Sequence, residues 1–255
     1  MIIGAAGIGG AKEAESNLNY LRENNLGAAE VSFTHSTYLK KEDAIRIGKI
    51  AEKLNIKLSI HGSYYINLNA IEKEKITKSK ERILKACQIG EYLKATHLVF
   101  HPGYYGKDTK EKTYENIKNE MLDLQKTIKK NNWKIKLAPE TTGKINVFGD
   151  LNETLQLVKD TKCSFCVDFA HLKARNQGKL EIKEIIKKIK PFKQIHCHYS
   201  GINYGPKGER NHIPIDKKET KELLKEIKNL PCTIICEAPD TYEDAIKIKK
   251  ILEKI

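Results

Sequence analysis

Histidine and carboxylate side chains recur in this chain at the ends of short apolar runs. Six of the eight histidines and four acidic residues lie at such ends or in the loops that follow them: His61, His101, Glu140, Asp168, His171, His196, His198, Glu209, His212 and Glu237. Imidazole and carboxylate groups are the usual protein ligands of zinc and similar divalent metals. One such residue at a strand end would indicate little, but this many in one chain predict a shared metal cluster.

The number of candidate ligands indicates how many metals the site would hold. One catalytic zinc uses three protein ligands and a water molecule, so this set is large enough for two or three ions joined by a bridging carboxylate. Multinuclear sites of this kind hydrolyse phosphate esters. A single-metal sugar isomerase would need fewer ligands, with a Lys or Glu acid–base pair. We expect zinc, and the same ligands also accept manganese or iron.

The sequence contains eight β-type runs, and the candidate ligands lie at the ends of these runs or in the loops that follow. Each interval between runs contains a stretch of helical periodicity. The runs are 2–6, 28–33, 57–61, 96–101, 134–140, 163–168, 193–198 and 232–237. The intervening stretches have apolar residues at i, i+3, i+4 and i+7, which is typical of amphipathic helices. Asp150 and Asn152 precede the fifth helix, and Asp240 and Thr241 precede the last, as start signals.

Eight strand–helix units in about 250 residues predict an α/β fold, a single (β/α)8 TIM barrel over residues 1–255. A doubly wound open sheet is the alternative. It is the weaker one because no GxGxxG turn follows a strand and opens a helix, and because eight units close a barrel. The active site of such a barrel lies at the C-terminal ends of its strands, where the candidate ligands fall.

Composition narrows the class of protein. Lys and Arg number 46 and Asp and Glu 33, giving a net charge of +13 that allows a polyanionic partner, although much of the lysine is scattered along helix faces. No apolar stretch reaches membrane-spanning length, and we expect no signal peptide. Six cysteines are too few for a disulfide scaffold in a chain of this length, so we expect a reduced, cytoplasmic protein. Cys163 and Cys166 are interpreted as small buried apolar residues.

Seven segments, in order along the whole chain, resemble the endonuclease IV family. They are HGSYYINL (61–68), FHPG (100–103), ETTGK (140–144), CVDFAH (166–171), QIHCH (194–198), GERNH (208–212) and ICEAP (235–239). These are apurinic/apyrimidinic endonucleases on a barrel shared with xylose isomerase. The resemblance implies three zinc ions and cleavage of DNA 5′ to an abasic site, by a hydroxide that bridges the metals and attacks phosphorus in line.

By motif position, the resemblance carries metal-ligand roles to His61, His101, Glu140, Asp168, His171 and Glu237. It makes Glu140 the bridging, catalytic carboxylate, and it places Tyr64 where the family has a tyrosine that contacts DNA.

Strand seven and the loop after it depart from the family's pattern. His196 and His198 lie on one face of the strand, so either could point inward. An ungapped match to the family favours His196 and places Glu209 at the position of an Asp ligand. The same match places Asn211 at the next His ligand, with His212 one residue away.

The segment after strand two, THSTYLKKEDA, also departs from the family, whose DNA-penetrating loop is rich in Gln, Arg and Trp. Glu30, in the second run, is interpreted as a structural hydrogen-bonding residue. We assign phosphate contacts to the basic residues of the rim loops: Lys144, Lys173, Arg175, Lys207 and Arg210.

The leading hypothesis is a metal-dependent phosphodiesterase that acts, as a monomer, on DNA with abasic sites. The alternatives are a sugar or sugar-phosphate isomerase or epimerase on the same barrel, and a metal-bearing DNA-binding protein without turnover. The surplus of candidate ligands favours the first over the second.

Overall fold

Short parallel strands and the helices between them order the chain from end to end, and the computed structural model describes residues 1–255. The strands are β1 (Ile2–Ala6), β2 (Ala28–Ser32), β3 (Lys57–His61), β4 (His97–Phe100), β5 (Lys136–Pro139), β6 (Cys166–Asp168), β7 (Ile195–Tyr199), β8 (Gly201–Gly205), β9 (Gly208–Ile213) and β10 (Cys232–Cys236). The helices are α1 (Ala14–Glu23), α2 (Lys41–Lys53), α3 (Lys73–Leu93), α4 (Lys110–Lys130), α5 (Leu151–Thr161), α6 (Phe169–Arg175), α7 (Ile182–Ile189), α8 (Lys217–Ile227) and α9 (Thr241–Leu252).

Eight of the strands form one parallel sheet that curls into a barrel, in the order β5-β4-β3-β2-β1-β10-β7-β6. The two edges meet where Glu140, just after β5, forms an isolated parallel bridge with Cys166 of β6. The amide of Thr141 donates to the carbonyl of Cys166 at 3.0 Å across this junction. The predicted (β/α)8 barrel is therefore confirmed, with its closure confined to a narrow contact between β5 and β6.

The main apolar core lies between the barrel and the surrounding helices. Side chains on the outer faces of the strands, such as Ile3, Val31 and Ile60, are buried against the apolar stripes of the helices. This burial of both strand faces explains why the strand sequences are nearly continuous apolar runs. None of the helices combines the length and the apolar character that crossing a bilayer requires.

Two predicted helix starts are confirmed, by different local contacts. Asp150 caps α5 in a capping box with Glu153, accepting from the amides of Asn152 and Glu153, each at 2.9 Å. Asp240 precedes α9 but forms no capping hydrogen bond. Thr241 anchors that end instead, because its hydroxyl donates to the carbonyl of Cys236 and accepts from the amide of Ala6.

The seventh strand–helix connection differs from the predicted loop. Residues 201–213 form the antiparallel hairpin β8–β9, and Gly208 has a φ of 90°, the left-handed conformation that favours glycine. A Cβ at Gly208 would lie 2.1 Å from the carbonyl oxygen of Gly143, so the hairpin packs closely on the loop after β5. The hairpin thereby extends over the C-terminal end of the barrel.

The connection after β6 also differs from the prediction, because it contains two helices instead of one. Strand β6 starts at Cys166 instead of residue 163 and ends at Asp168, whose carboxylate caps α6 by accepting from the amide of His171 at 2.6 Å. This cap turns the chain directly from strand to helix and brings His171 back over the strand ends. Cys163 and Cys166 are buried free thiols, as predicted.

Candidate metal centre

Glu140 lies at the centre of the barrel's C-terminal end, and four histidines surround its carboxylate. Oε2 lies 3.3 Å from Nε2 of His61 and 3.1 Å from Nε2 of His101. Oε1 lies 3.0 Å from Nδ1 of His198 and 3.3 Å from Nδ1 of His171. The Glu140 side chain has no exposed surface. Each carboxylate oxygen is thus shared by two imidazoles, on opposite sides of the group.

Three groups of potential ligands can be drawn around this carboxylate. In each, one ligand atom from every member lies within 4.8 Å of the others: His61, His101 and Glu140; Glu140, Asp168, His198 and Glu237; His171, Glu209 and His212. We call them the first, central and third clusters. Glu140 belongs to both the first and the central cluster. Two further groups share members with these clusters: His61, His198 and Glu237, and Cys166, His196 and His198.

Different elements supply the three clusters. The first comes from the ends of β3, β4 and β5, and the central one from the ends of β5, β6, β7 and β10. The third depends on α6, which carries His171, and on β9, which carries Glu209 and His212. The hairpin therefore completes the third cluster.

Three buried polar atoms in these clusters lack a hydrogen-bond partner. They are Nε2 of His101 and Nε2 of His198, which face Glu140 and Glu30 without hydrogen-bonding geometry, and Oδ2 of Asp168. A buried polar atom without a partner costs about 1–3 kcal/mol, and such atoms in native proteins call for an explanation. Nitrogen and oxygen donors at this spacing suit a divalent metal such as zinc, which would satisfy the atoms of His101 and Asp168.

Buried charges of both signs alter the ionisation of the centre. Burial by itself would raise the pKa of Glu140, but the adjacent His198 and His101 hold that pKa well below its ordinary range. Burial likewise opposes the ionisation of Glu237, yet the neighbouring His198 lowers its pKa to about 2. Conversely, the pKa of His61 is raised to about 9, against the effect of burial, by its hydrogen bond to Glu140. Glu140 and Glu237 are therefore ionised and available as ligands, whereas burial raises the pKa of Asp168.

Comparison with known proteins shows the family to which this barrel belongs. Residues 18–254 match a family model described as a xylose isomerase-like TIM barrel. The chain belongs to that family. It is 36% identical to an uncharacterized protein of Methanocaldococcus jannaschii, over 100% of this chain and 98% of that protein. It is 26% identical to the endonuclease 4 homolog of Dictyostelium discoideum, over 85% of this chain but only 43% of that relative's length.

Solved structures show the same xylose isomerase-like fold around different chemistries. A D-tagatose 3-epimerase-like protein superposes with a TM-score of 0.77 at 19% identity, over 100% of this chain and 96% of its own. Endonuclease IV from Thermus thermophilus superposes with a TM-score of 0.72 at 18% identity, over 98% of this chain and 97% of its own. At these identities the likeness shows the fold alone.

In this xylose isomerase-like barrel, His198 and not His196 reaches Glu140. Both histidines point into the barrel, but His198 pairs in register with Asp168 of the neighbouring strand, whereas His196 pairs with Cys166, two residues deeper. Nε2 of His196 lies 3.1 Å from Oε2 of Glu30, and its ring stacks on that of His97 at 5.3 Å between centroids. His198 therefore joins the central cluster around Glu140, while His196 belongs to a separate group of potential ligands with Cys166 and His198.

The structure also distinguishes between Asn211 and His212, the two candidates for the next ligand position. His212 belongs to the third cluster, and its Nδ1 lies 2.6 Å from the hydroxyl of Ser200. Asn211 is exposed, and its amide donates to the carbonyl of His212. The antiparallel register of β8 and β9 decides which of the two neighbours faces the centre.

Some of the predicted nucleic-acid contacts stay accessible at the rim. The side chain of Tyr64 is 56% exposed, and its ring lies 5.8 Å from that of His61. Lys144, Lys207 and Arg210 are exposed on the loop after β5 and on the hairpin. These four residues surround the metal centre and remain candidates for phosphate or nucleotide contacts.

Arg175 and Lys173 are paired with groups of the protein itself, unlike the other cations assigned as phosphate contacts: Arg175 in a part-buried position and Lys173 at the surface. The guanidinium of Arg175 donates to the carbonyls of Lys144 and Val147 at 2.6 and 2.9 Å, and to the hydroxyl of Tyr105 at 3.2 Å. The amine of Lys173 donates to both carboxylate oxygens of Glu219, each at 2.6 Å. Arg175 therefore braces the loop after β5, and Lys173 ties α6 to α8.

Proposed function

We propose that this protein is a divalent-metal-dependent phosphodiesterase that cleaves the DNA backbone on the 5′ side of abasic sites. The observation that carries the proposal is the position of Glu140, which joins the first and central clusters beside a third cluster at the same end of the barrel. A site of this kind suits two or three metals close together, the arrangement associated with hydrolysis of phosphodiesters. The names of the endonuclease 4 relatives support the same activity.

The side chains of the three clusters would hold zinc ions, with manganese or iron as substitutes. When bound, such ions supply positive charge that stabilises a phosphate group undergoing substitution. Glu140 would contribute a ligand to both the first and the central cluster, because its carboxylate has one oxygen toward each pair of histidines. The carboxylates of Asp168 and Glu237 would complete the central cluster from the adjoining strand ends.

The rim residues would bind the nucleic acid around this centre. Lys144, Lys207 and Arg210 are exposed cations that could each neutralise a backbone phosphate. The exposed ring of Tyr64 stands beside His61, where it could contact a sugar or an unstacked base. These contacts would place the backbone over the ligand clusters and set its orientation.

Metal content measured beside a nicking assay tests the proposal. The purified protein is assayed on a duplex with one abasic site, on the intact duplex, and on both after treatment with a chelator. The expected result is two or three metals per chain, with nicking of the abasic duplex that the chelator abolishes and added zinc restores. A metal-loaded protein that leaves the abasic duplex intact would contradict the proposed activity.

A sugar epimerase or isomerase is the second candidate, and the central cluster is the observation that favours it. Glu140, Asp168, His198 and Glu237 form a complete four-ligand set for a single metal. That activity predicts one tightly bound metal and no salt-sensitive affinity for DNA. Two or three bound metals would favour the phosphodiesterase, while steeply salt-dependent DNA binding without any product would indicate a DNA-binding protein without turnover.

A further inference from the structure

Glu30 is a carboxylate buried in the interior of the barrel, one layer below the ligand clusters. It lies on β2 in the apolar run AAEVS, and it has no exposed surface. Burying an ionised carboxylate is costly unless close partners compensate for the lost hydration. The partners of Glu30 therefore indicate why this residue stands in an otherwise apolar strand.

The two oxygens of Glu30 have separate partners. Oε2 accepts from the hydroxyl of Ser59 at 2.7 Å and lies 3.1 Å from Nε2 of His196. Oε1 lies 2.9 Å from Nε2 of His198, but the two atoms are not aligned for a hydrogen bond, and neither has another partner. Ser59 and His196 thus hold one oxygen, which leaves the other directed at the histidine of the central cluster.

His198 stands between two buried carboxylates, with one ring nitrogen toward each. Its Nε2 faces Glu30 below, and its Nδ1 faces Glu140 at 3.0 Å and Glu237 at 3.3 Å above. The ring has no exposed surface. A neutral imidazole carries a proton on one nitrogen and a free lone pair on the other. A proton on Nε2 would leave the Nδ1 lone pair aimed into the central cluster.

We propose that Glu30 is a positioning residue: when a metal binds Nδ1 of His198 in the central cluster, the unpartnered Oε1 of Glu30 accepts the Nε2–H of that ring and holds the ring in place. The inference rests on the proposed function only in so far as the central cluster binds a metal. A carboxylate that accepts the free N–H of a ligating histidine fixes the ring's tautomer and orientation and makes it a better donor. The chain Ser59, Glu30, His198 then connects β2, β3 and β7 to the metal centre.

The first test uses wild-type protein loaded with zinc and no DNA. Nitrogen-15 NMR of histidine-labelled protein reports which nitrogen of each ring is protonated, and a His198→Gln variant assigns the signals. The expected result is a His198 ring bound to zinc through Nδ1, with a protonated Nε2. Coordination through Nε2, or a wild-type protein that binds no zinc, would overturn the proposal.

The second test compares zinc affinity in Glu30→Gln, Ser59→Ala and wild type, by competition with a chromophoric chelator. Glu30→Gln keeps the volume but removes the charge, and we expect it to weaken one zinc site about 10- to 100-fold. Ser59→Ala acts on the other oxygen of Glu30 and should cost much less. Affinity within about threefold of wild type in a folded Glu30→Gln protein, with the His198 tautomer unchanged, would overturn the proposal.

These measurements separate the inference from the proposed function. Both use zinc alone, so a protein that binds zinc through Nδ1 of His198 but does not nick abasic DNA would retain the role of Glu30 and lose the phosphodiesterase. A protein that nicks abasic DNA but whose zinc affinity is insensitive to Glu30→Gln would retain the phosphodiesterase and lose the role of Glu30.

Discussion

Glu140 and Cys166 form the parallel bridge that joins β5 to β6, so the residue that closes the barrel also belongs to both the first and the central cluster. The amide after Glu140 donates to the carbonyl of Cys166 across the same junction. The backbone of the bridge, and not its side chain, forms the closing contact. The carboxylate is therefore held on the barrel itself, where a ligand is placed more accurately than on a loop, and it can be changed without opening the barrel.

Glu140→Gln tests the shared carboxylate. The neutral amide keeps the shape of the side chain but is a poor ligand, so the first and central clusters should both lose their metal while the third retains it. We expect metal content to fall toward about one ion per chain and nicking of abasic DNA to fall more than about 100-fold, beyond the usual cost of losing an outer partner of a ligand. Metal content and single-turnover nicking are the measurements.

Glu209→Gln is the matched control for that variant, because Glu209 belongs to the third cluster alone. It should lose a single metal and leave the other two in place. An equal loss of metal in the two variants would contradict the central position of Glu140.

Matched substitutions distinguish the roles of the two inward-facing histidines of β7 in metal binding. His198→Gln removes a member of the central cluster and should weaken the metal there by at least about 100-fold. His196→Gln removes a partner of Glu30 one layer below and should leave that site occupied. Zinc titration of both metal-free variants measures the difference. Loss of metal in His196→Gln alone would identify His196 as the ligand, as the ungapped sequence match favours.

The exposed cations of the hairpin should account for part of the salt dependence of DNA binding. Each phosphate contact contributes about 0.9 to the slope of log K against log salt, so the double substitution of Lys207 and Arg210 by Ala should lower the slope by about 2. Anisotropy of a labelled abasic duplex, measured in a Glu140→Gln background, gives the slope without cleavage. Lys173→Ala is the control, since Glu219 engages that amine, and a slope unchanged by the double substitution would exclude the hairpin from the interface.

Arg175 should matter for stability more than for DNA. Its guanidinium donates to backbone carbonyls of the loop after β5, including that of Val147, which is buried. Arg175→Ala leaves those acceptors without their donor, so we expect a loss of about 2–3 kcal/mol in the free energy of unfolding. Arg210→Ala, on the exposed hairpin, should stay within about 0.5 kcal/mol. Urea unfolding of the metal-free proteins measures both, and equal stabilities would contradict the bracing role.

His97 should make the barrel sensitive to mild acid. Burial, together with the nearby His196 and Lys136, lowers its pKa from 6.5 to about 3. Because the folded value lies below the unfolded one, the unfolded chain takes up the proton first, and stability is lost as pH falls below about 6.5. The loss amounts to about 2 kcal/mol by about pH 5, since each pH unit costs about 1.4 kcal/mol.

His97→Gln removes this titration, so its urea unfolding should vary less between about pH 7 and pH 5 than that of wild type. The difference between the two proteins isolates His97 from the other titrating groups, which both contain. Parallel pH profiles would show that His97 does not carry the acid sensitivity.

Sequence by itself determined the order of the eight barrel strands with the helices between them, apart from the hairpin β8–β9 and the second helix after β6, and it determined the strand-end positions of the candidate ligands. These features are local, because a strand's apolar run, a helix's 3.6-residue period and a cap such as Asp150 all depend on neighbours along the chain. The barrel then follows from eight repeated units, and the ends of parallel strands necessarily meet at one face. The identity of most cluster members could therefore be stated before any coordinates.

Only the tertiary structure decided which of these side chains meet. His196 and His198 lie on the same face of one strand, and their different depths come from the register of β7 against β6, a contact between residues about 30 positions apart in the chain. Arg175 and Lys207 are both rim cations in the sequence, but the folded loops supply acceptors to the first and leave the second exposed. Glu30 acquires its role in the same way, because its partners come from strands distant in sequence and a pattern along one strand does not encode them.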